Sequence, residues 1–370
     1  MKKMANPGGV RWLPLKTGHL WLDLLLIFVP AAIVLAFLHA PPTFVFVAAA
    51  LGIVPLAGSL GQATDALAAH SGPTVGGMLN ATLGNATELI IAIFAVHAGH
   101  IQVVKASLSG SIIGNLLLVL GLSIVAGGMR RETLRFSRSS ASLHSTMLMI
   151  ASAALVMPAV FALTIFGNLE HHESAPLESL SLWASGVLIV LYLLNLLFVF
   201  RTHRHLVEPG GEPEQPEMGL RQALVSLGLA TVLIAVLSEI LVSRIEAVTR
   251  SLGMTEFFIG VVVVAVVGNA AEHSTAVMMA RKDKMDLAGA IAAGSSTQIA
   301  LFVAPLLVFL SVALGHPMTL LFNGFEIAGI FLSVLIVAMI SSDGETNWFE
   351  GAQLLALYAI IAVVFYFVPE

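Results

Sequence analysis

The chain has 370 residues, of which 58% are hydrophobic and only 11% charged, where an ordinary soluble domain carries about a quarter charged residues. A bilayer core about 30 Å thick needs ~20 apolar residues per spanning helix, so this composition reads as an all-α membrane protein with about eleven transmembrane helices and no aqueous domain of any size. The net charge of −5 offers no basic surface for nucleic acid, and the absence of cysteine excludes disulfide frameworks, thiolate metal sites, iron–sulfur ligation and cysteine nucleophiles.

Residues 1–41 hold a charged start and the first span, 20–39. That apolar stretch is of full span length and lacks a small-residue cleavage site, which makes it an anchor rather than a cleaved signal. Apolar runs between charged or Pro/Gly-rich breaks then place spans at 42–67, 73–97, 102–127, 143–165 and 178–200. The segment 201–219 interrupts the pattern with Pro209, Pro213 and Pro216 and with Glu208, Glu212, Glu214 and Glu217, the composition of a solvated acidic linker. Five more spans follow at 220–242, 256–280, 286–313, 319–340 and 349–367. The chain therefore divides into 1–41, a first five-helix unit 42–200, the linker 201–219 and a second five-helix unit 220–370. With the N-terminus in the cytoplasm, fourteen of the seventeen Lys and Arg residues fall on the cytoplasmic side, Arg244 and Arg250 fall outside, and Lys105 lies within a span. The positive-inside rule then makes the loop 130–138 and the linker cytoplasmic and puts Glu370 on the far side.

The two units repeat each other. Gly84-Asn85-Ala86-Thr87-Glu88 is echoed 184 residues later by Gly268-Asn269-Ala270-Ala271-Glu272, and the offset holds without a gap to Gly110-Ser111 against Gly294-Ser295, with eight identities in 28 positions. A unit with an odd number of spans reverses its direction through the membrane. The architecture expected is one N-terminal helix plus two inverted five-helix repeats, with a site near the midplane between them.

Both motif words sit near the centres of their spans, where a carboxylate costs roughly 2.5–3.5 kcal/mol even on lenient insertion scales. Glu88 and Glu272 in matching places call for a compensating partner, and a divalent cation between them supplies it. Hard cations take six to eight oxygens, more than two carboxylates offer. Gly84 and Gly268 loosen their helices so that carbonyls can turn toward an ion, and Asn80, Asn85 and Asn269 add amide oxygens. In the fourth span Ser107, Gly110, Ser111, Gly114 and Asn115 form a small, polar stripe on one helical face, which Gly294, Ser295 and Gln298 repeat in the ninth. Such stripes also serve helix packing alone.

His273 beside Glu272 brings a membrane metalloprotease to mind, but H-x-x-E-H needs histidine where Asn269 stands, and no HExxH occurs. The chain is read as a transporter and not an enzyme. Glu239, late in the seventh span, fits a proton or cation antechamber or a snorkelling boundary residue; Asn80 and His273 join it as pathway candidates. Asp65, Lys105 and Glu326 are less decisive, and His97, His100, His171 and His172 fall at span ends or in loops.

The words Gly84-Asn85-Ala86-Thr87-Glu88-Leu89-Ile90 and Gly268-Asn269-Ala270-Ala271-Glu272-His273 resemble the two repeat motifs of the calcium/proton exchangers of the calcium/cation antiporter superfamily. Ser238-Glu239-Ile240-Leu241-Val242 and Gly294-Ser295-Ser296-Thr297-Gln298-Ile299-Ala300 resemble that family's seventh and ninth helices. The resemblance implies that Glu88 and Glu272 bind the transported cation and exchange it for protons. It also implies that Gly84, Asn85, Gly268 and Asn269 contribute oxygens directly or through water, with Gln298 at the ninth-helix glutamine. An acidic segment between the halves is typical of the family, and here it is short. The long regulatory N-terminal extension of plant vacuolar members has no counterpart, which implies a protein of bacterial type in a prokaryotic plasma membrane.

The expected function is secondary Ca²⁺/H⁺ antiport by alternating access. The candidate ion ligands are Glu88, Glu272, Gly84, Asn85, Gly268, Asn269, Ser111, Asn115, Ser295 and Gln298. The alternatives are a Na⁺-driven calcium exchanger, a Na⁺(K⁺)/H⁺ antiporter and a cation channel with a ring of midplane carboxylates. No cofactor is expected beyond the transported Ca²⁺ and H⁺. The partners are the lipid bilayer and those ions, with association between copies of the chain left open.

Overall fold

A computed structural model describes residues 15, 20–169, 174–202 and 218–368. His171, His172, most of the linker with its glutamates and prolines, the N-terminal basic residues and Glu370 lie outside the described residues.

Among the described residues, the regular structure apart from one two-stranded ribbon is helical. Helix α1 (Leu22–Phe37) leads to α2 (Pro42–Ser71), which keeps going past Pro55. Gly72, at φ +80°, turns the chain into α3 (Pro73–Leu83), which breaks before α4 (Ala86–His97), the pair being bent by 40°. Helices α5 (Ile101–Gly128), α6 (Arg138–Phe166) and α7 (Ala175–Thr202) complete the first half. The second half holds α8 (Leu220–Val242), a short amphipathic α9 (Ile245–Leu252), α10 (Glu256–Gly268), α11 (Ala270–Arg281) and α12 (Met285–Ala313), then α13 (Gly324–Ile340) and α14 (Trp348–Tyr366). Seven of these helices are each long and apolar enough to cross a membrane, and nine spans result if each bent pair counts as one. The lipid-facing outer helices show large exposed apolar side chains such as Trp183, Val187 and Ile360, while α5 is the most enclosed span.

Three features depart from the sequence reading. The tenth span, expected from 319, begins as helix only at Gly324. Met318 to Phe322 run non-helically yet fully buried, because Gly315 and Pro317 end the preceding helix and an Asn323/Glu326 capping box starts the next one late. Backbone at this depth survives only when its polar groups are paired. Ser311 and Ser181 hydroxyls accept from the N–H groups of Met318 (2.8 Å) and Leu320 (2.9 Å), and Lys105 Nζ donates to the Leu321 carbonyl (2.8 Å). Lys105 is thus a buried anchor, only 2% exposed, facing the equally buried Glu326, whose oxygens accept from Ser109 Oγ (2.9 Å) and the Asn323 N–H (2.9 Å). The second departure is α9, a helix in the stretch 243–255 read as a break between spans, which meets α10 at 113°. The third is an antiparallel ribbon, β1 (Leu134–Arg135) with β2 (Glu345–Thr346), joining the α5–α6 loop to the α13–α14 loop.

Candidate ion-binding site

The motif words sit at helix breaks. In each, glycine ends one helix, asparagine is the N-cap of the next, and glutamate falls in its first turn: Gly84, Asn85 and Glu88 at the α3–α4 junction, Gly268, Asn269 and Glu272 at the α10–α11 junction. An asparagine in this position ordinarily caps the helix with its side chain. Neither does so here, and the N-terminal ends of both half-helices stay turned to the carboxylates, where the helix dipole favours negative charge.

The asparagine side chains bind across the molecule instead. Ser295 Oγ donates to Asn85 Oδ1 (3.0 Å), and Asn85 Nδ2 donates to Gln298 Oε1 (2.7 Å). Asn269 Nδ2 donates to Ser111 Oγ (2.9 Å). Each motif asparagine is therefore bonded to the serine that its counterpart half supplies. Asn115 joins the two sets, its Nδ2 donating to Asn269 Oδ1 (3.3 Å) and Ser295 Oγ (3.0 Å). Ser296 Oγ reaches the carbonyl of Ile112 at 3.5 Å, a contact between positions 184 apart. The polar stripes that carry these groups continue into π-helical turns, 114–119 in α5 and 299–303 in α12, a local widening common at functional sites.

Breaking a helix frees carbonyls that need partners. At the α10–α11 break, the Ala265 carbonyl accepts from the Asn269 N–H (3.2 Å) and also from Asn269 Nδ2 (2.9 Å); at the α3–α4 break the equivalent carbonyl, of Ala81, is served by Tyr192 Oη from α7 (2.7 Å). Tyr192 itself stacks on Phe302, ring centroids 5.0 Å apart. Sequence reasoning passed over Tyr192, whose one signal is a hydroxyl within the apolar run 186–194.

Glu88 leans on the other motif: a β-carbon added at Gly268 would stand 3.1 Å from Glu88 Cγ and 3.3 Å from its Oε1. One oxygen of each glutamate, Glu88 Oε2 and Glu272 Oε2, is buried with no hydrogen-bond partner among the described residues. A cavity of about 360 Å³ runs to Glu272 between the second half of α2, α3, α11 and the first half of α12; Gln62, Asp65, Asn80, Gly84 and Gln298 are on its wall, and Glu88 is not. Asn80 Nδ2 donates to Asp65 Oδ1 (3.0 Å) at the cavity wall, so Asp65, indecisive in sequence, belongs to the approach. The structure thus assembles Glu88, Glu272, Gly84, Asn85, Gly268, Asn269, Ser111, Asn115, Ser295 and Gln298 around one point. His273 is half-buried beside Glu272 without lining the cavity, and Glu239 is exposed near the end of α8, apart from the cavity.

The chain is similar to known proteins along most of its length. The sodium/calcium exchanger protein family matches residues 41–201 and, separately, 222–367. The Ca(2+)/H(+) antiporter of Synechocystis sp. is 45% identical, covering 93% of this chain and 96% of that protein. The Ca(2+)/H(+) antiporter ChaA of Bacillus subtilis is 42% identical, covering 91% and 96%. Among solved structures, native YfkE superposes with a TM-score of 0.82 at 39% identity, covering 94% of this chain and all of that one. The chain, an integral, multi-pass, all-helical membrane protein, belongs to the sodium/calcium exchanger protein family.

Proposed function

We propose that the protein is a secondary antiporter that exchanges Ca²⁺ for H⁺ by alternating access, built as eleven spans in which one N-terminal helix precedes two inverted five-helix repeats. The carrying observation is the pair of orphaned, buried carboxylate oxygens on Glu88 and Glu272, in the first turns of two matching half-helices. A buried carboxyl oxygen without a partner is costly whether the acid is charged or neutral. A dehydrated Ca²⁺ satisfies both at once, and a proton on each does the same when the ion leaves. The names of the relatives, Ca(2+)/H(+) antiporter in both cases, favour this reading over a sodium-driven exchanger, a Na⁺(K⁺)/H⁺ antiporter or a channel. The repeat reading is supported by the crossed asparagine–serine bonds, by the contact of Ser296 with its equivalent Ile112, and by a family match that occurs once in each half.

On the charge bias of the loops, the cavity opens to the cytoplasm of a prokaryotic cell, bounded by the plasma membrane. Ca²⁺ entering past Asp65 meets Glu272 first and then draws in Glu88, which lies behind against Gly268. Two carboxylates furnish its charge balance, while Gly84 and Gly268 carbonyls, side-chain oxygens of Asn85, Asn269, Ser111, Asn115, Ser295 and Gln298, and water supply the remaining ligands toward the six to eight that Ca²⁺ takes. The site crosses the low-dielectric barrier nearly neutral, holding one Ca²⁺ or two protons, since an uncompensated charge there is costly. The test is proton flux in proteoliposomes on adding Ca²⁺, Mn²⁺, Na⁺ or K⁺ in turn, with Ca²⁺ uptake measured under an imposed pH gradient and, separately, an imposed Na⁺ gradient at clamped pH. Uptake that follows sodium and ignores the proton gradient overturns the reading.

A further inference from the structure

Glycines let helices touch backbone to backbone, and here the same contact is made on one face and missing on the other. On the face that carries His100 and Glu256, paired at 3.2 Å, α5 and α10 are pressed together. A β-carbon at Gly110 would overlap the Val261 carbonyl, and one at Gly260 would stand 2.7 Å from both Ala106 Cβ and the Val103 carbonyl oxygen. No path to the glutamates passes between surfaces this close.

The 184-residue offset carries every member of that contact to the opposite face. Gly110 becomes Gly294, Val261 becomes Gly77, Gly260 becomes Gly76, and Val103 and Ala106 become Leu287 and Ala290. There α3 and α12 stand apart. Gly76 presses on the Ala68 carbonyl of α2 and Gly77 on the Phe200 ring of α7, while Gly294 has nothing closer to an added β-carbon than His144 Cε1 at 3.9 Å. The gap between them is the cavity, with Ala290 and Gly294 on its wall. Nothing in this conformation requires a glycine at 294, since an added β-carbon meets only the His144 ring at ordinary van der Waals distance.

We infer that Gly294 is the seat of the second gate: in the opposite-facing state the backbone of α3 at Gly76 and Gly77 leaves Ala68 and Phe200 and lies on α12 at Leu287, Ala290 and Gly294, while α10 lifts from Gly110. This rests on the antiporter reading of the two halves. It makes Gly294 a residue that is free in the state seen here and indispensable in the other.

The experiment uses the full chain in proteoliposomes, with Gly294→Val, Gly294→Ala and, as a control on the same helix, Gly289→Val; Gly289 also has open space and lies outside the cavity wall. Exchange is expected to fall at least tenfold in Gly294→Val and about threefold in Gly294→Ala, and to stay at the parent rate in Gly289→Val. Because the chain has no cysteine, a cysteine placed at Gly61 on the cavity wall reports the gate directly through labelling by an impermeant maleimide. Labelling should slow during turnover in the parent and stay fast in Gly294→Val. Parent-like exchange in Gly294→Val, or protection of the Gly61 cysteine during turnover in that variant, overturns the gate. Gly294→Ala adds one methyl where there is room for it and so tests the same point without a folding defect. A parent lacking Ca²⁺-driven proton flux refutes the antiporter reading instead, whereas an active parent with an equally active Gly294→Val refutes the gate alone.

Discussion

Glu88 and Gly268 belong to different halves of the chain and lie in van der Waals contact, the carboxylate of one filling the space that a side chain at the other would take. The glycine of the second motif is thus part of the binding surface for the first motif's acid. Gly268→Ala is expected to displace the Glu88 carboxylate by a few tenths of an ångström and to lower the apparent Ca²⁺ affinity about tenfold, a cost of about 1.4 kcal/mol. Ca²⁺ dependence of proton flux, measured beside thermal stability in detergent, checks it; unchanged affinity with a stable fold would show that Glu88 does not depend on this seat.

Glu88→Gln and Glu272→Gln should each abolish exchange while the protein still folds, since glutamine keeps the shape and cannot take up or release a proton. Removing the charge of a buried acid with one unpartnered oxygen should also leave the melting temperature unchanged or higher. Transport near the parent rate by either variant would remove that glutamate from the mechanism.

Asn115 is the link between the two asparagine sets, donating to Asn269 and Ser295. Asn115→Ala leaves two buried acceptors short of a donor and should cost about 1–3 kcal/mol of stability, seen as a lower melting temperature, with exchange reduced as well. The interaction is separable by a double-mutant cycle with Ser295→Ala, in which the two losses should not add.

Tyr192→Phe removes the donor that serves the Ala81 carbonyl at the α3–α4 break. Stability should fall by about 1–2 kcal/mol, and the Phe302 stacking should survive because the ring is kept. Amide hydrogen exchange over residues 78–90, at the α3–α4 break, is the specific readout: a larger increase in exchange there than across α7 is the expected outcome.

Lys105→Met leaves Glu326 buried without its neighbouring cation and Leu321 without its donor, and should cost about 3–5 kcal/mol. The double variant Lys105→Met, Glu326→Gln should recover part of that loss. Recovery of melting temperature in the double variant, measured in detergent, distinguishes a charge effect from simple loss of packing.

The site was legible in the sequence because the same word occurs twice around charges that lipid does not tolerate. Gly84, Asn85 and Glu88 with Gly268, Asn269 and Glu272 gave the centre, and the Ser111 and Ser295 stripes gave its walls. The role of the asparagines was less visible: spacing marks them as oxygen donors but does not reveal that their amides are engaged with the opposite half. Tyr192 escaped because one hydroxyl in an apolar run carries no periodicity. The late start of α13 escaped because hydropathy measures how apolar a segment is, not whether it is helical; Gly315 and Pro317 were the available cue. Glu239 drew attention as an acid near a span end, yet it is exposed apart from the cavity.

The small β1–β2 ribbon has a consequence for which parts can move. Together with the Ser137 N–H bonded to Asp286, the Arg131–Asp283 pair at 3.2 Å and the Arg135–Glu345 pair at 3.1 Å, it rivets the ends of α5, α6, α11, α12, α13 and α14 into a chassis on the face where the cavity opens. A chassis of this kind gives the swinging arms something to swing against. Loosening the rivets, for instance by charge reversal at Arg135, should blur the distinction between frame and arm and let ions slip across without exchange.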